Sequence, residues 1–416
     1  MPHVIIVGAG ISGLSCARQL YKSGCEVTVL EKEDGPGGRV RTDKKDGFLL
    51  DRGFQVLLTG YPEVRSGLDI SALMCHAFRS GARIFKDGRF STIGDPSRRL
   101  FDLPPTLVSP AATLMDKLRL WNFRRKISSM SLDQIFSRRE RSTIEVLDEI
   151  GFSTNFIESF FRPFFGGVFL QRDLCTSSRF FEFVFRTFAM GDAVLPKFGM
   201  QAIPNQIASS LPKKSFRFSS LVKEVEANAV ALENGEIIKS DAVVLCSGPI
   251  ANAGFVDLPE PSVNGTINLY YSSDVAPYLD PILTLNANPT GFVNLMFPVN
   301  RVAPSYSPRG VSLISVTLRE TSNMSGKDID EKVREELGEW YDSKILDSWK
   351  LLKIYRIREA LPCQNKSDLW RVSGSPEERE GLFLAGDYLE IASLSGALRS
   401  GRLAANAVVK KTRTLI

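Results

Sequence analysis

Histidine is almost missing from this sequence: only His3 and His76 occur in 416 residues. Its six cysteines (Cys16, Cys25, Cys75, Cys175, Cys246, Cys363) are scattered, with no Cys-x-x-Cys pair. Together these shortages leave no donor set for a zinc site and no disulfide framework, and they favour a reducing compartment. A histidine base has hardly a candidate. No apolar run is long enough to form a bilayer-spanning helix. The net charge is only +5, without the concentrated basic surface that nucleic acid demands. Internal repeats and low-complexity stretches are absent too.

What is present is enough apolar material, 43% of the chain, for more than one compact unit. Val4-Ile5-Ile6-Val7 is a continuous apolar run that stops at Gly8, so it reads as a buried parallel strand and not as a signal peptide. Ile11 to Lys22 has helical apolar spacing, and Glu26 to Leu30 is a second strand. Further helices are expected over 114–127 and 144–165, strands over 221–246, 265–271, 291–297 and 310–318, a helical stretch over 329–349, a strand at 382–385 and a last helix over 396–411.

Between the first strand and helix lies Gly8-Ala9-Gly10-Ile11-Ser12-Gly13. In that position Gly8 permits the tight turn, Gly10 lets a diphosphate approach the backbone, and Gly13 lets helix and strand pack closely. Ile11 and Ser12 open the helix whose N-terminus faces the phosphate charge. Glu31, followed by Lys32, closes the second strand where a carboxylate receives ribose hydroxyls. A second glycine turn, Gly35-Pro36-Gly37-Gly38-Arg39, is superfluous for a plain dehydrogenase. It suits a longer dinucleotide, with Arg39 donating to a diphosphate oxygen.

An acid followed by Gly-Gly-Arg after such a turn resembles the flavin-containing amine oxidoreductases, a superfamily that includes monoamine oxidases, protoporphyrinogen oxidase and phytoene desaturases. Near the other end, Gly381-Leu382-Phe383-Leu384-Ala385-Gly386-Asp387-Tyr388 and Ser395-Gly396-Ala397-Leu398-Arg399-Ser400-Gly401 resemble the plant and cyanobacterial desaturase form of the C-terminal motif. The resemblance implies an α/β fold with a discontinuous, Rossmann-like FAD-binding lobe of glutathione-reductase type (1–75, 196–250, 362–416). The second lobe is a substrate-binding one of mixed β-sheet and helices (76–195, 251–361). It further implies non-covalent FAD, with the Val222 backbone at adenine, Gly386 and Asp387 by the ribityl and diphosphate region, and the Leu394 and Ser395 amides at the pyrimidine. Asp51-Arg52-Gly53 resembles a segment that passes the isoalloxazine, and Pro196 to Met200 a hinge back into the FAD lobe. Asn268 stands where amine oxidases keep a lysine, which counts against amine chemistry. Cys363 lacks the pattern around a covalent flavin link.

Phenylalanine crowds 158–169 and 180–185. The crowding reads either as helical core or as an apolar tunnel, with Gly166-Gly167 allowing close approach. Phe54, Gln55, Arg162, Phe165, Asn268 and Tyr388 are the candidate pocket residues; no catalytic base is assigned. The expected activity is removal of hydride from an apolar small molecule, a polyene, isoprenoid or tetrapyrrole, with a quinone or oxygen as electron acceptor. A flavin amine oxidase, a redox-neutral FAD isomerase and a flavin-free prenyl-binding module of the same fold are the competing readings. The 114–127 helix mixes Leu118, Trp121 and Phe123 with Lys117, Arg119 and Arg124 to Lys126. It reads as a solvated basic face or as a peripheral membrane contact. The expected location is the cytoplasm or a plastid-type stroma.

Overall fold

The computed structural model describes residues 1–258, 262–319, 322–365 and 376–414. Strand β1 (His3–Val7), helix α1 (Ile11–Lys22) and strand β2 (Glu26–Leu30) follow one another as the apolar spacing predicts. β1 is central in a six-stranded sheet. Parallel to it run β2 on one side and Ala242–Leu245 on the other, with Leu382–Leu384 parallel beyond. Its side chains divide between two cores, Val4 and Ile6 on the α1 side and Ile5 and Val7 against Val222 and Val230. Coverage on both faces is the reason the strand is apolar without alternation.

The C-terminus returns to this unit. Helix Leu394–Thr414 packs on α1, where a Cβ on Gly401 would lie 2.1 Å from the Ser12 carbonyl oxygen. The Ser15 hydroxyl donates to the Leu398 carbonyl at 2.7 Å across the same contact.

A seven-stranded sheet forms a second layer, in the spatial order Lys350–Pro362, Val263–Ser273, Ser312–Leu318, Val293–Pro298, Thr284–Asn286, Gly81–Lys86, Arg89–Gly94. Helix Gly326–Leu337 covers one face, burying Ile329, Val333 and Leu337 against Ile267, Leu269 and Tyr271. On the opposite face Tyr270, Leu295 and Phe297 share a core with the phenylalanine-rich helices and the α1 side of the first sheet.

Two expected helices are broken. The 144–165 stretch ends its first helix, Thr143–Ile150, at Gly151 with φ 82°, and then passes through a π-helical turn, Ile157–Phe161, into Arg162–Phe169. Pro163 has no N–H for the preceding turn, which widens there. The 329–349 stretch is likewise two helices, Gly326–Leu337 and Ser343–Asp347.

Candidate functional site: a dinucleotide cleft beside an aromatic cavity

The glycines of the first turn serve different ends. A Cβ on Gly8 (φ 106°) would sit 2.8 Å from the Cys246 carbonyl oxygen, and one on Gly13 would sit 2.0 Å from the Gly8 oxygen. Packing within the protein therefore demands both. Gly10 is another matter: its φ of −71° and ψ of 178° suit any residue, and a Cβ there would meet nothing within 4 Å. The space it leaves lies at the N-terminus of α1, whose first turn, with Ile11 and Ser12, carries no acidic side chain and no side-chain cap. The N–H groups that a helix start leaves without intrahelical partners, and the positive end of the helix dipole, suit an anion there. The second glycine turn stacks on the first, with Gly37 N–H donating to the Ala9 carbonyl at 2.9 Å and a Cβ on Gly38 falling 3.2 Å from the Gly10 Cα.

Contacts tie several of the other cofactor candidates to these turns or to one another. The buried Glu31 carboxylate accepts from the amides of Ala9 (2.7 Å) and Glu33 (2.9 Å), so the acid is fixed to the glycine turn. Lys32 beside it is exposed. Val222 opens a strand paired with Ala229–Leu232, with a bulge between Val222 and Glu224. The Ser220 amide ties that strand to the Glu31 carbonyl at 2.8 Å. Arg39 donates to Asp387 Oδ1 at 2.5 Å and to the Ala360 carbonyl at 3.0 Å. This ion pair joins the N-terminal and C-terminal motifs directly. The Gly386 amide donates to the Ser400 hydroxyl at 3.0 Å, and the Ser393 hydroxyl accepts from the Gly396 amide just where Leu394 and Ser395 begin the last helix.

Asp51 is a buried acid that sequence reasoning passed over as merely part of a motif. Its carboxylate accepts from the Thr42 hydroxyl, the Met200 amide (2.9 Å) and the Tyr306 hydroxyl (3.0 Å). One side chain thus links the hairpin of Thr42–Lys45 and Phe48–Asp51, the 196–200 segment and the turn after Val299–Val302. Burial lifts its pKa to about 6, against the three hydrogen bonds that favour the charged form. The folded chain then retains a proton that the unfolded chain has already released. This group's contribution to stability is full below its ordinary pKa of about 3.9 and is lost as the pH rises through about 6. Asp51→Asn keeps the acceptor oxygen but cannot ionise. Its unfolding midpoint should be flatter with pH than the wild type's across that window, and higher at neutral pH. Parallel profiles of midpoint against pH for the two proteins would contradict this.

A cavity of about 560 Å³ opens beside the segment that follows Asp51. Phe54 and Val56 line it where that segment passes, and Phe160, Phe164, Phe165 and Gly167 line it from the phenylalanine-rich helices. Of the six candidate pocket residues, Phe54 and Phe165 are on its wall. The other four are held elsewhere. Gln55 donates to the carbonyls of Arg39 and Arg52. Arg162 binds Glu158, four residues back in the π-helical turn, and the Arg172 carbonyl. Fully buried Asn268 accepts from the hydroxyls of Ser315 (3.1 Å) and Thr317 (2.7 Å). The Tyr388 ring packs over Gly386, and its hydroxyl accepts from Asn252. Gly166 faces the Arg172 backbone and not the cavity. Wall residues that sequence reasoning missed are Phe78, Leu283 and Leu295, together with a polar end formed by Arg79, Arg98, Lys117 and Arg124. Nothing local marks them, because long-range strand pairing brings them together.

A glycine turn at a helix N-terminus, clasped by an ion pair from the far end of the chain, defines a discontinuous Rossmann-type dinucleotide protein. Comparison with known proteins narrows the class. A sequence profile described as flavin-containing amine oxidoreductase matches residues 11–409. The chain belongs to that family, an FAD-dependent class of oxidoreductases. It is 38% identical over 102 residues to polyamine oxidase 5 of Oryza sativa subsp. japonica, a match spanning 21% of each chain. It is 23% identical to the 15-cis-phytoene desaturase of an Oncidium hybrid cultivar, over 100% of this chain and 79% of that one. An oxidoreductase structure from Methanosarcina mazei superposes with a TM-score of 0.73 at 17% identity, covering 98% of this chain and 100% of the other.

Proposed function

We propose that this chain holds FAD non-covalently and withdraws hydride from an apolar organic molecule, a polyene, isoprenoid or tetrapyrrole, bound in the aromatic cavity. In this reading residues 1–75, 196–250 and 362–416 hold the cofactor, and 76–195 with 251–361 hold the substrate. The open space at Gly10 is what fits the residues to FAD, since nothing in the protein itself requires a glycine there. Gly8, Gly10, Ile11, Ser12 and Gly13 hold the diphosphate, with Gly37, Gly38 and Arg39 on its other side. Glu31, with Lys32, holds the adenosine ribose, and the Val222 backbone holds adenine. Gly386 and Asp387 hold the ribityl chain, and the amides of Leu394 and Ser395 hold the pyrimidine, where a helix N-terminus stabilises negative charge. When bound, the flavin supplies the hydride acceptor. The chain's own part is to orient the substrate and exclude water, which hydride removal needs more than a strong base.

The observation that carries the substrate class is the cavity itself. Phenylalanine and leucine are its commonest wall residues, and at its polar end the arginines are already paired: Arg79 with Asp102 and Asp280, Arg98 with Asp95 and Asp192, and Arg124 with Asp95 at 2.6 Å. Asp95, the one acid on the wall, is taken up by Arg98 and Arg124, so the cavity offers an ammonium ion no free counter-charge, and the amine-oxidase reading is disfavoured. Cys363, whose thiol donates to Asn264 at 3.1 Å, is engaged within the protein. A quinone or oxygen is the proposed acceptor.

Mixing the anaerobic holoprotein with polyenes, porphyrinogens and amines in turn tests this reading through loss of the oxidised flavin absorbance. Bleaching by an apolar compound is expected; bleaching by amines alone would overturn the proposal. Ala193→Phe, which intrudes on the cavity wall, should lower kcat/KM for a large substrate by at least roughly tenfold while flavin content stays unchanged. Unaltered turnover of that substrate by the variant would place the substrate elsewhere.

A further inference from the structure

At the polar end of the cavity the molecular surface has an unusual composition. Nine large apolar side chains between Leu100 and Trp121 are exposed, with Leu100 at 80%, Phe101 at 83%, Val108 at 80% and Leu114 at 70%. Soluble monomers seldom leave such a cluster uncovered. Helices Leu103–Val108 and Leu114–Ser129 carry most of it, and the Lys117 ammonium braces them by donating to the carbonyls of Leu107 (2.9 Å) and Ser109 (3.4 Å).

Within residues 97–130 the exposed charge has one sign, while the exposed acids Asp192 and Asp280 pair with Arg98 and Arg79 at the polar end of the cavity. Arg99, Arg125 and Lys126 are exposed. The only acids from residue 97 to residue 130 are Asp102 and Asp116, and both are buried. Asp102 accepts from Arg79, and Asp116 from Thr113 and Ser153. What faces solvent is therefore apolar and basic. Leu103, Leu107 and Trp121 belong both to this exposed face and to the cavity wall, so the patch borders the cavity.

We propose that this face docks on a bilayer bearing anionic lipid, and that the cavity takes its substrate directly from the hydrocarbon. The first half stands on the patch alone; the second rests on the proposed function. An apolar face rimmed by cations is what an anionic interface selects, since the side chains enter the acyl boundary while the basic residues stay at the headgroups. A second copy of the chain is a poorer occupant, because a two-fold contact would bring the same basic rim against itself. The route also spares an apolar substrate passage through water.

Flotation of the holoprotein with phosphatidylcholine vesicles, with and without phosphatidylserine, tests the docking. Trp121 supplies a second readout: Trp340 and Trp349 are buried, and Trp121→Phe subtracts every other tryptophan. Wild type should float with the phosphatidylserine vesicles, and brominated lipid should quench Trp121. Phe101→Glu combined with Leu118→Glu should cut the bound fraction roughly tenfold or more, with flavin content unchanged. Wild type that stays unbound, a double variant that binds equally well, or a wild-type dimer that the double variant dissolves would each overturn the proposal. Yellow protein that ignores vesicles defeats the docking alone, whereas colourless protein that still floats defeats the flavin reading alone.

Discussion

Gly10→Val should yield a folded protein that has lost its flavin. The backbone at Gly10 (φ −71°, ψ 178°) is open to valine, and no protein atom lies within 4 Å of the new Cβ. Folding therefore has no stake in the glycine. The branched side chain would fill the space at the head of α1 into which the diphosphate must come, and it would keep that charge from the helix N-terminus. Affinity should fall on the order of a thousandfold or more, equivalent to losing about 4 kcal/mol. Circular dichroism should match the wild type's while the visible flavin absorbance disappears. Gly13→Ala is the informative contrast. Its Cβ would lie 2.0 Å from the Gly8 carbonyl oxygen, so that variant should fail in folding. Full flavin content in Gly10→Val would show that the space serves something else.

Gly401→Ala should be costly for the opposite reason. Its Cβ would meet the Ser12 oxygen at 2.1 Å and the Cys16 nitrogen at 2.9 Å, both of them backbone atoms of α1. Neither atom can yield like a flexible side chain, so the last helix must move off α1 and break the Ser15–Leu398 hydrogen bond. A loss of about 3 kcal/mol is expected, at the upper end for overpacking by one methyl group. The measurement is the unfolding midpoint, taken with and without added FAD. Because the last helix also carries Leu394 and Ser395, added FAD should recover less of the loss than it would for a variant remote from the cleft. An unfolding midpoint equal to the wild type's would mean that the two helices do not meet as described.

How far the molecule could be read from its residues differs from element to element. The β1–α1–β2 unit was legible to within one residue, because a continuous apolar run, a glycine turn and a helical apolar spacing are local signals. The distant C-terminal motif was legible as a resemblance, but its reason was not. Only the assembled structure puts Gly401 on Ser12 and Asp387 on Arg39. On the substrate side, proximity in sequence to a motif was a weak guide. Gln55 is adjacent to Phe54, yet it is drawn to two backbone carbonyls while Phe54 turns to the cavity. Arg162 sits among phenylalanines but finds Glu158 one turn away. The exposed face around Phe101 was half legible: the 114–127 helix read as a solvated basic face or a peripheral membrane contact, but the exposure of Leu100, Phe101 and Val108 and the burial of Asp102 and Asp116 were hidden.

Flavin stoichiometry of the purified chain is the most direct test of the account. Heat or acid should release about one FAD per chain from the wild type, consistent with a single cleft built from both ends of the sequence. Protein that carries no flavin, and takes up none when refolded with excess FAD, would contradict it.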